Sequence, residues 1–220
     1  MSIDGLRQEL TKYARKIVDK GLVVGPGGNL SARFGNIMLI SPSGFDIADI
    51  EQEQWVAVDI ETGGVGGTTL RPSSEVLMHL ACYRDHQDVQ AVVHTHPPYC
   101  IAQSTITQEQ PMLFPDQVAL VGTIGFVPYV LPTTLEMARL VSQKLYDSPA
   151  VVLGNHGLVT VGRNLREAFY RTEICESGAM IYLLACSVRE PRKLTDAEIE
   201  EIRSLEAEDY RIALLKALGN

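Results

Sequence analysis

The segment that most constrains this chain is Val89-Gln-Ala-Val-Val-His-Thr-His-Pro97. Val89, Ala91, Val92 and Val93 form a short apolar, β-branched run, which predicts a buried strand. Pro97 and Pro98 follow and stop any regular ladder, because proline has no amide hydrogen to give. Successive strand residues face opposite sides, so His94 and His96 project the same way. Two imidazoles on one side of a strand mouth are half of a metal site, neutral imidazole being a common ligand for first-row metals. The other reading of these two residues alone is a pair of polar side chains hydrogen-bonded to nearby backbone.

The chain of 220 residues is 45% hydrophobic and 21% charged, enough for a full core and in keeping with one domain over residues 1–220. No Pro/Ser-rich linker, charge block or repeat divides it. A formal charge of −8 and a pI near 5.1 argue against a nucleic-acid surface. No apolar run is long enough to span a bilayer, and the first residues lack the pattern of a signal peptide. Cys82, Cys100, Cys175 and Cys186 are scattered among hydrophobic neighbours, as reduced core cysteines of a cytoplasmic protein would be.

In chain order, residues 4–20 read as a helix with apolar residues at helical spacing, closed by Gly21. Gly25-Pro-Gly-Gly-Asn-Leu-Ser-Ala-Arg33 is glycine-rich, with Asn29 and Ser31 beside the backbone, and reads either as an anion nest or as an ordinary helix-to-strand turn. Residues 36–40 predict a strand that ends in the donor-rich turn Ser41-Pro-Ser-Gly-Phe45. One helical turn over 47–52 and a strand over 55–60 come next, then a glycine loop over 62–67. In Arg71-Pro-Ser-Ser-Glu75, Ser73 is a good N-cap with Glu75 in the first turn of the helix that follows. Ordinary helix-start chemistry explains those residues; free amides plus two hydroxyls also make a phosphate site. His79, one turn after Glu75, reads as a packing residue or as support for the site.

Residues 99–106 predict a short helix, 112–125 a loop with some strand, and 126–130 a strand. Thr133 or Thr134 caps a helix reaching Leu145. Ala150–Leu153 predicts a buried strand running into Gly154-Asn-His-Gly157, after which Leu158–Val161 returns as another. His156 is thus placed like His94 and His96 and is the best third ligand. Residues 164–188 form the longest helix, and Thr195-Asp-Ala-Glu198 is a capping box that opens a last one. A mixed sheet with helices on both faces accommodates all of these elements.

Taken together, Gly27-Gly-Asn-Leu-Ser-Ala-Arg33, Ser41-Pro-Ser-Gly44, Pro72-Ser-Ser-Glu75, His94-Thr-His-Pro97 and Asn155-His-Gly157 resemble the class II aldolase/adducin family. The likeness is to its metal-dependent aldolases of ketose 1-phosphates such as L-fuculose 1-phosphate. It runs from about residue 6 to 188 and is weaker beyond. It implies an α/β fold, a three-layer α/β/α sandwich around a mixed, largely antiparallel sheet, with a helical C-terminal segment from about 195. It implies one divalent metal per subunit, zinc first and manganese or cobalt next, held by His94, His96 and His156 with Glu75 as fourth ligand. It implies a phosphate pocket from Gly28, Asn29, Ser43, Gly44, Ser73 and Ser74, a phosphorylated sugar as substrate, and a homotetramer with interfacial sites. Glu75 would be the acid/base, since carbon–carbon cleavage beside a ketone leaves an enediolate that must exchange a proton.

The chain departs from the fuculose-type pattern in one loop. Those aldolases place a tyrosine where this chain has Met112-Leu-Phe-Pro-Asp-Gln-Val118, so Asp116 is the nearest proton-handling group there. Tyr210 is the candidate for a second tyrosine near the C-terminus. Within the family, the 4-epimerases carry aspartate at the position of Glu75, and the dehydratases carry glutamate near Val118. Sugar-acid phosphate decarboxylases remain an alternative, and an adducin-like interaction module would be expected to lose metal ligands.

Overall fold

The computed structural model describes residues 1–217; the last three positions of the 1–220 span lie outside the described residues. Eight strands form one sheet in the order β4-β3-β2-β1-β5-β8-β7-β6. They are β1 (Asn29–Phe34), β2 (Ile37–Ile40), β3 (Val56–Asp59), β4 (Val65–Gly66), β5 (Ala91–Thr95), β6 (Ile124–Val127), β7 (Ala150–Leu153) and β8 (Gly157–Gly162). Every neighbouring pair is antiparallel except β6 with β7. A parallel pair needs a crossover, and α4 (Leu135–Leu145) supplies it.

The β-branched run that opens the sequence analysis sits at the centre, with β1 on one side of β5 and β8 on the other. Its side chains alternate between two cores. Val92 packs with residues of α2 (Val76–Asp85) and α4, whereas Ala91 and Val93 pack with α1 (Ile3–Asp19) and α5 (Leu165–Cys186). Helices therefore cover both faces, and the sandwich has the expected three layers. Full burial of a valine contributes about 1.5–3 kcal/mol, so this strand is a major source of stability. A third apolar cluster joins β7 and β8 to α5 and to Cys100 of α3 (Pro98–Ser104).

Several elements differ from expectation. Asn29–Phe34 is a full strand, and Asn29 and Ser31 lie inside it, buried, rather than in a turn beside exposed amides. Leu30 and Ala32 face the α1 layer while Asn29 and Ser31 face α2, so polar residues on a buried face hid the alternation. Residues 112–125 hold a single wide helical turn, Gln117–Val121, ahead of β6. Buried Gln117 pins that turn by donating to the Pro111 carbonyl and accepting from the Leu113 amide. The C-terminal helix is two, α6 (Asp196–Arg203) and α7 (Glu206–Ala217), with α6 opened by the Thr195/Glu198 capping box. Cys186 is exposed at the end of α5, unlike the other three cysteines, and all four are free thiols.

Candidate metal centre

Three chain segments converge at one end of the central strands. His94 is the penultimate residue of β5, directly opposite Asn29 of β1 and Val159 of β8. His96 lies two residues on, its amide held by the Leu22 carbonyl at 3.0 Å. His156 comes from the tight β7–β8 turn, in which Asn155 takes a left-handed φ of 56°. The turn presses so close that a Cβ on Gly157 would lie 2.3 Å from the Thr95 carbonyl oxygen and 3.0 Å from the His96 ring. Gly28, on the other side at φ 71°, leaves no room for a side chain against Val23 and the His94 carbonyl. These two glycines let the histidine-bearing segments close together.

Glu75 completes the cluster. One of its oxygens, Oε2, lies 3.0 Å from His94 Nε2, and Oε1 lies 3.5 Å from His156 Nε2. His96 Nε2 is 3.1 Å from His94 Nε2. One donor atom from each of Glu75, His94, His96 and His156 falls within 4.8 Å of the others. His94 donates from Nδ1 to the Leu158 carbonyl at 3.0 Å, which leaves Nε2 as the ring's ligating lone pair. The Oε1 atom of Glu75 is buried without a hydrogen-bond partner. A buried carboxylate oxygen left this way is costly, and a cation among these four groups removes the cost. Three imidazoles and a carboxylate are a donor set that suits zinc and its neighbours, so the residues fit a divalent metal.

Electrostatics agree with that fit. Burial would raise the Glu75 carboxyl, but the charge and hydrogen bond of His94, with Asn29, hold it well below the usual carboxylate range. Burial opposes charge on His94 too, and Glu75 outweighs it, so His94 titrates above an ordinary histidine. His96 and His156 are pushed down to about 4 by burial and then by the charge on His94.

The cluster opens on a cavity of about 240 Å³ that includes Gly28, Asn29, Ser43, Gly44, Ser73 and Ser74 among its walls. The loops 41–45 and 71–75 are zipped together, with the Ser43 amide on the Arg71 carbonyl and the Ser73 amide on the Ser41 carbonyl, both at 2.9 Å. This pairing holds Ser73 ahead of the helix. Glu75 itself is the N-cap of α2, and Ser73 Oγ instead accepts from the Glu75 amide, which corrects the expected cap. Among the described residues, the backbone amides of Gly28, Gly44 and Ser74 have no internal partner. The Asn29 carboxamide is engaged, giving an N–H to Glu75 Oε2 at 2.8 Å and receiving His79 Nε2 at its oxygen.

Asp116 and Tyr210 are not in this cavity. Asp116 is half exposed and paired with Arg211 at 3.0 Å; Tyr210, the residue before Arg211 on α7, is exposed. Tyr83 is a site-supporting residue that sequence reasoning missed, its helical spacing from Glu75 and His79 being the available signal, and Ser31, expected in an anion nest, instead bonds to His79 and Tyr83.

The chain is similar to known proteins in sequence and in fold. The sequence profile of the Class II Aldolase and Adducin N-terminal domain matches residues 8–183. The L-fuculose phosphate aldolase of Methanococcus maripaludis is 36% identical over 173 residues, 79% of this chain and 93% of the relative. The 5-deoxy-D-ribulose 1-phosphate aldolase of Bacillus thuringiensis is 34% identical, covering 89% of this chain and 92% of its own. A 3-oxo-tetronate 4-phosphate decarboxylase of Escherichia coli is 33% identical, covering 90% and 95%. A solved L-fuculose 1-phosphate aldolase superposes with a TM-score of 0.84 at 34% identity, covering 94% of this chain and 96% of that one. With most of its length matched in sequence and in fold, this chain belongs to the class II aldolase and adducin family.

Proposed function

We propose that this chain is a metal-dependent aldolase that cleaves a ketose 1-phosphate into dihydroxyacetone phosphate and an aldehyde, with substrates in the fuculose, rhamnulose and 5-deoxypentulose 1-phosphate class. The observation that carries this reading is the Glu75–His94–His96–His156 cluster facing a cavity lined with free amides and hydroxyls. The retained donor set argues against an adducin-like module. The names of the aldolase relatives support the reaction, and the decarboxylase relative supports the second reading, a sugar-acid phosphate decarboxylase.

In this reading His94, His96 and His156, with Glu75, hold one divalent ion, zinc before manganese or cobalt. Such an ion supplies Lewis-acid stabilisation of the negative charge that develops as the carbon–carbon bond breaks. The amides of Gly28, Gly44 and Ser74 with the hydroxyls of Ser43, Ser73 and Ser74 grip the phosphate, and Asn29 borders them. Fixed donors of this kind orient the reacting carbons and direct binding energy to them. Glu75, charged at neutral pH, takes the proton from the nucleophilic carbon in condensation and returns it in cleavage.

Asp116, paired with Arg211, and Tyr210 beside that arginine, both away from the cavity, then act on the site of a neighbouring copy in a homotetramer. We further read residues 1–220 as one domain of a cytoplasmic protein, in keeping with its four free thiols. No described helix is long and apolar enough to cross a membrane. The deciding experiment is a product assay with L-fuculose, L-rhamnulose and 5-deoxy-D-ribulose 1-phosphates beside 3-oxo-tetronate 4-phosphate. Release of dihydroxyacetone phosphate supports the aldolase; carbon dioxide from the acid with no ketose cleavage would replace it by the decarboxylase.

A further inference from the structure

Glu75, His79 and Tyr83 are spaced four residues apart and lie on one face of α2, from its N-cap to its last turn. Asn29 and Ser31, two apart, lie on the facing side of β1. The two rows interlock. Tyr83 Oη is 2.8 Å from Ser31 Oγ, and Ser31 Oγ is 2.7 Å from His79 Nδ1. His79 Nε2 is 2.5 Å from Asn29 Oδ1, and Asn29 Nδ2 is 2.8 Å from Glu75 Oε2. All five residues are buried, and His79 and Tyr83 wholly so.

The direction of this chain of bonds follows from its end. A carboxylate accepts only, so Asn29 must turn its N–H to Glu75 and its oxygen to His79. That oxygen needs a donor, so His79 carries its hydrogen on Nε2. The bare Nδ1 then accepts from Ser31, whose oxygen in turn accepts from Tyr83. Reversing the Asn29 amide would set its oxygen against the Glu75 carboxylate, two acceptors with no hydrogen between them. Fixing Glu75 Oε2 in this way leaves Oε1 as the oxygen presented toward His156.

We infer that His79 is a positioning residue, which through the Asn29 amide sets the orientation of the Glu75 carboxylate. Its kinetic consequence rests on the aldolase reading; its structural content does not.

Two substitutions separate orientation from simple packing. Glutamine at 79 places an amide N–H where Nε2 lies, whereas asparagine reaches only as far as Nδ1. With zinc-loaded protein and L-fuculose 1-phosphate, His79→Asn should lose at least tenfold in kcat with KM and bound zinc unchanged. His79→Gln should stay within threefold of the native protein. Equal losses in both variants, or losses carried by KM or zinc content, overturn the inference. Independently, ¹⁵N NMR of histidine-labelled protein, metal-free and zinc-loaded, should show a neutral His79 ring with its hydrogen on Nε2, assigned by its disappearance in His79→Gln. A hydrogen on Nδ1, or a charged ring, overturns the inference. If the native protein releases no dihydroxyacetone phosphate, the reaction assignment fails, and the ring spectrum alone decides the role of His79.

Discussion

At the scale of single residues, the proposal gives Glu75 two competing roles, metal ligand and proton carrier, and Glu75→Gln separates them. Three histidines remain, so metal content should stay largely intact, while turnover falls by about 10²–10⁴-fold because an amide cannot exchange the proton. Loss of solvent proton exchange into dihydroxyacetone phosphate is the direct signature, and rescue by excess metal would instead make Glu75 a ligand only. Gly157 tests the packing beneath the cluster. Its missing Cβ would sit 2.3 Å from a backbone oxygen that has nowhere to go. Gly157→Ala should therefore cost roughly the 1–3 kcal/mol of an overpacked core, or more. It should also lower the zinc bound after dialysis, by displacing the strand that carries His94.

At the scale of elements, the strands that hold the ligands depend on the helices behind them. Thr160 of β8 is hydrogen-bonded to the Ala168 carbonyl and to Thr172, so α5 is stitched to the sheet. Asn164 caps α5 by accepting from the Glu167 amide at 2.8 Å. Asn164→Ala should cost about 1 kcal/mol, which at this chain length is a fall of about 2–4 °C in Tm. A scanning calorimetry trace showing no fall would mean that the α5 packing, not its cap, sets the helix start. Most elements were legible from periodicity: α1, α4, α5, β5 and β7 lie within a few residues of their expected bounds. The strand β1 was not, because its buried polar face breaks the alternation that periodicity reads. The turn at 117–121 was not either, because buried Gln117 ties it to backbone that only the folded chain brings near.

At the scale of the whole molecule, the cluster makes stability depend on pH and metal. His96 and His156 titrate at about 4 in the folded protein, against about 6.5 when unfolded, so between those values the unfolded chain binds more protons. Their contribution is full above pH 6.5 and is lost as the pH falls toward 4. Metal-free protein should thus lose Tm steadily over that window in thermal melts, and His156→Gln should flatten part of the slope. Adding zinc at neutral pH should raise Tm, by about 4 kcal/mol of linkage at a thousandfold excess over Kd, and chelator should reverse it.

The sequence by itself determined the layered α/β class and the strand that anchors it, and it named the four residues that meet in the candidate metal cluster. Those follow from side-chain periodicity, from the ligand chemistry of the three histidines and, for Glu75, from the family resemblance. Only the tertiary structure decided that Asn29 and Ser31 are strand residues locked to α2. It likewise decided that Glu75, not Ser73, stands at the N-cap position of its helix, and that Asp116 and Tyr210 stand outside the cavity of their own chain. The β1–α2 lock and the Asp116–Arg211 pair depend on contacts between residues 46 to 95 positions apart, and the seating of Ser73 on one from Ser41, which no local pattern encodes.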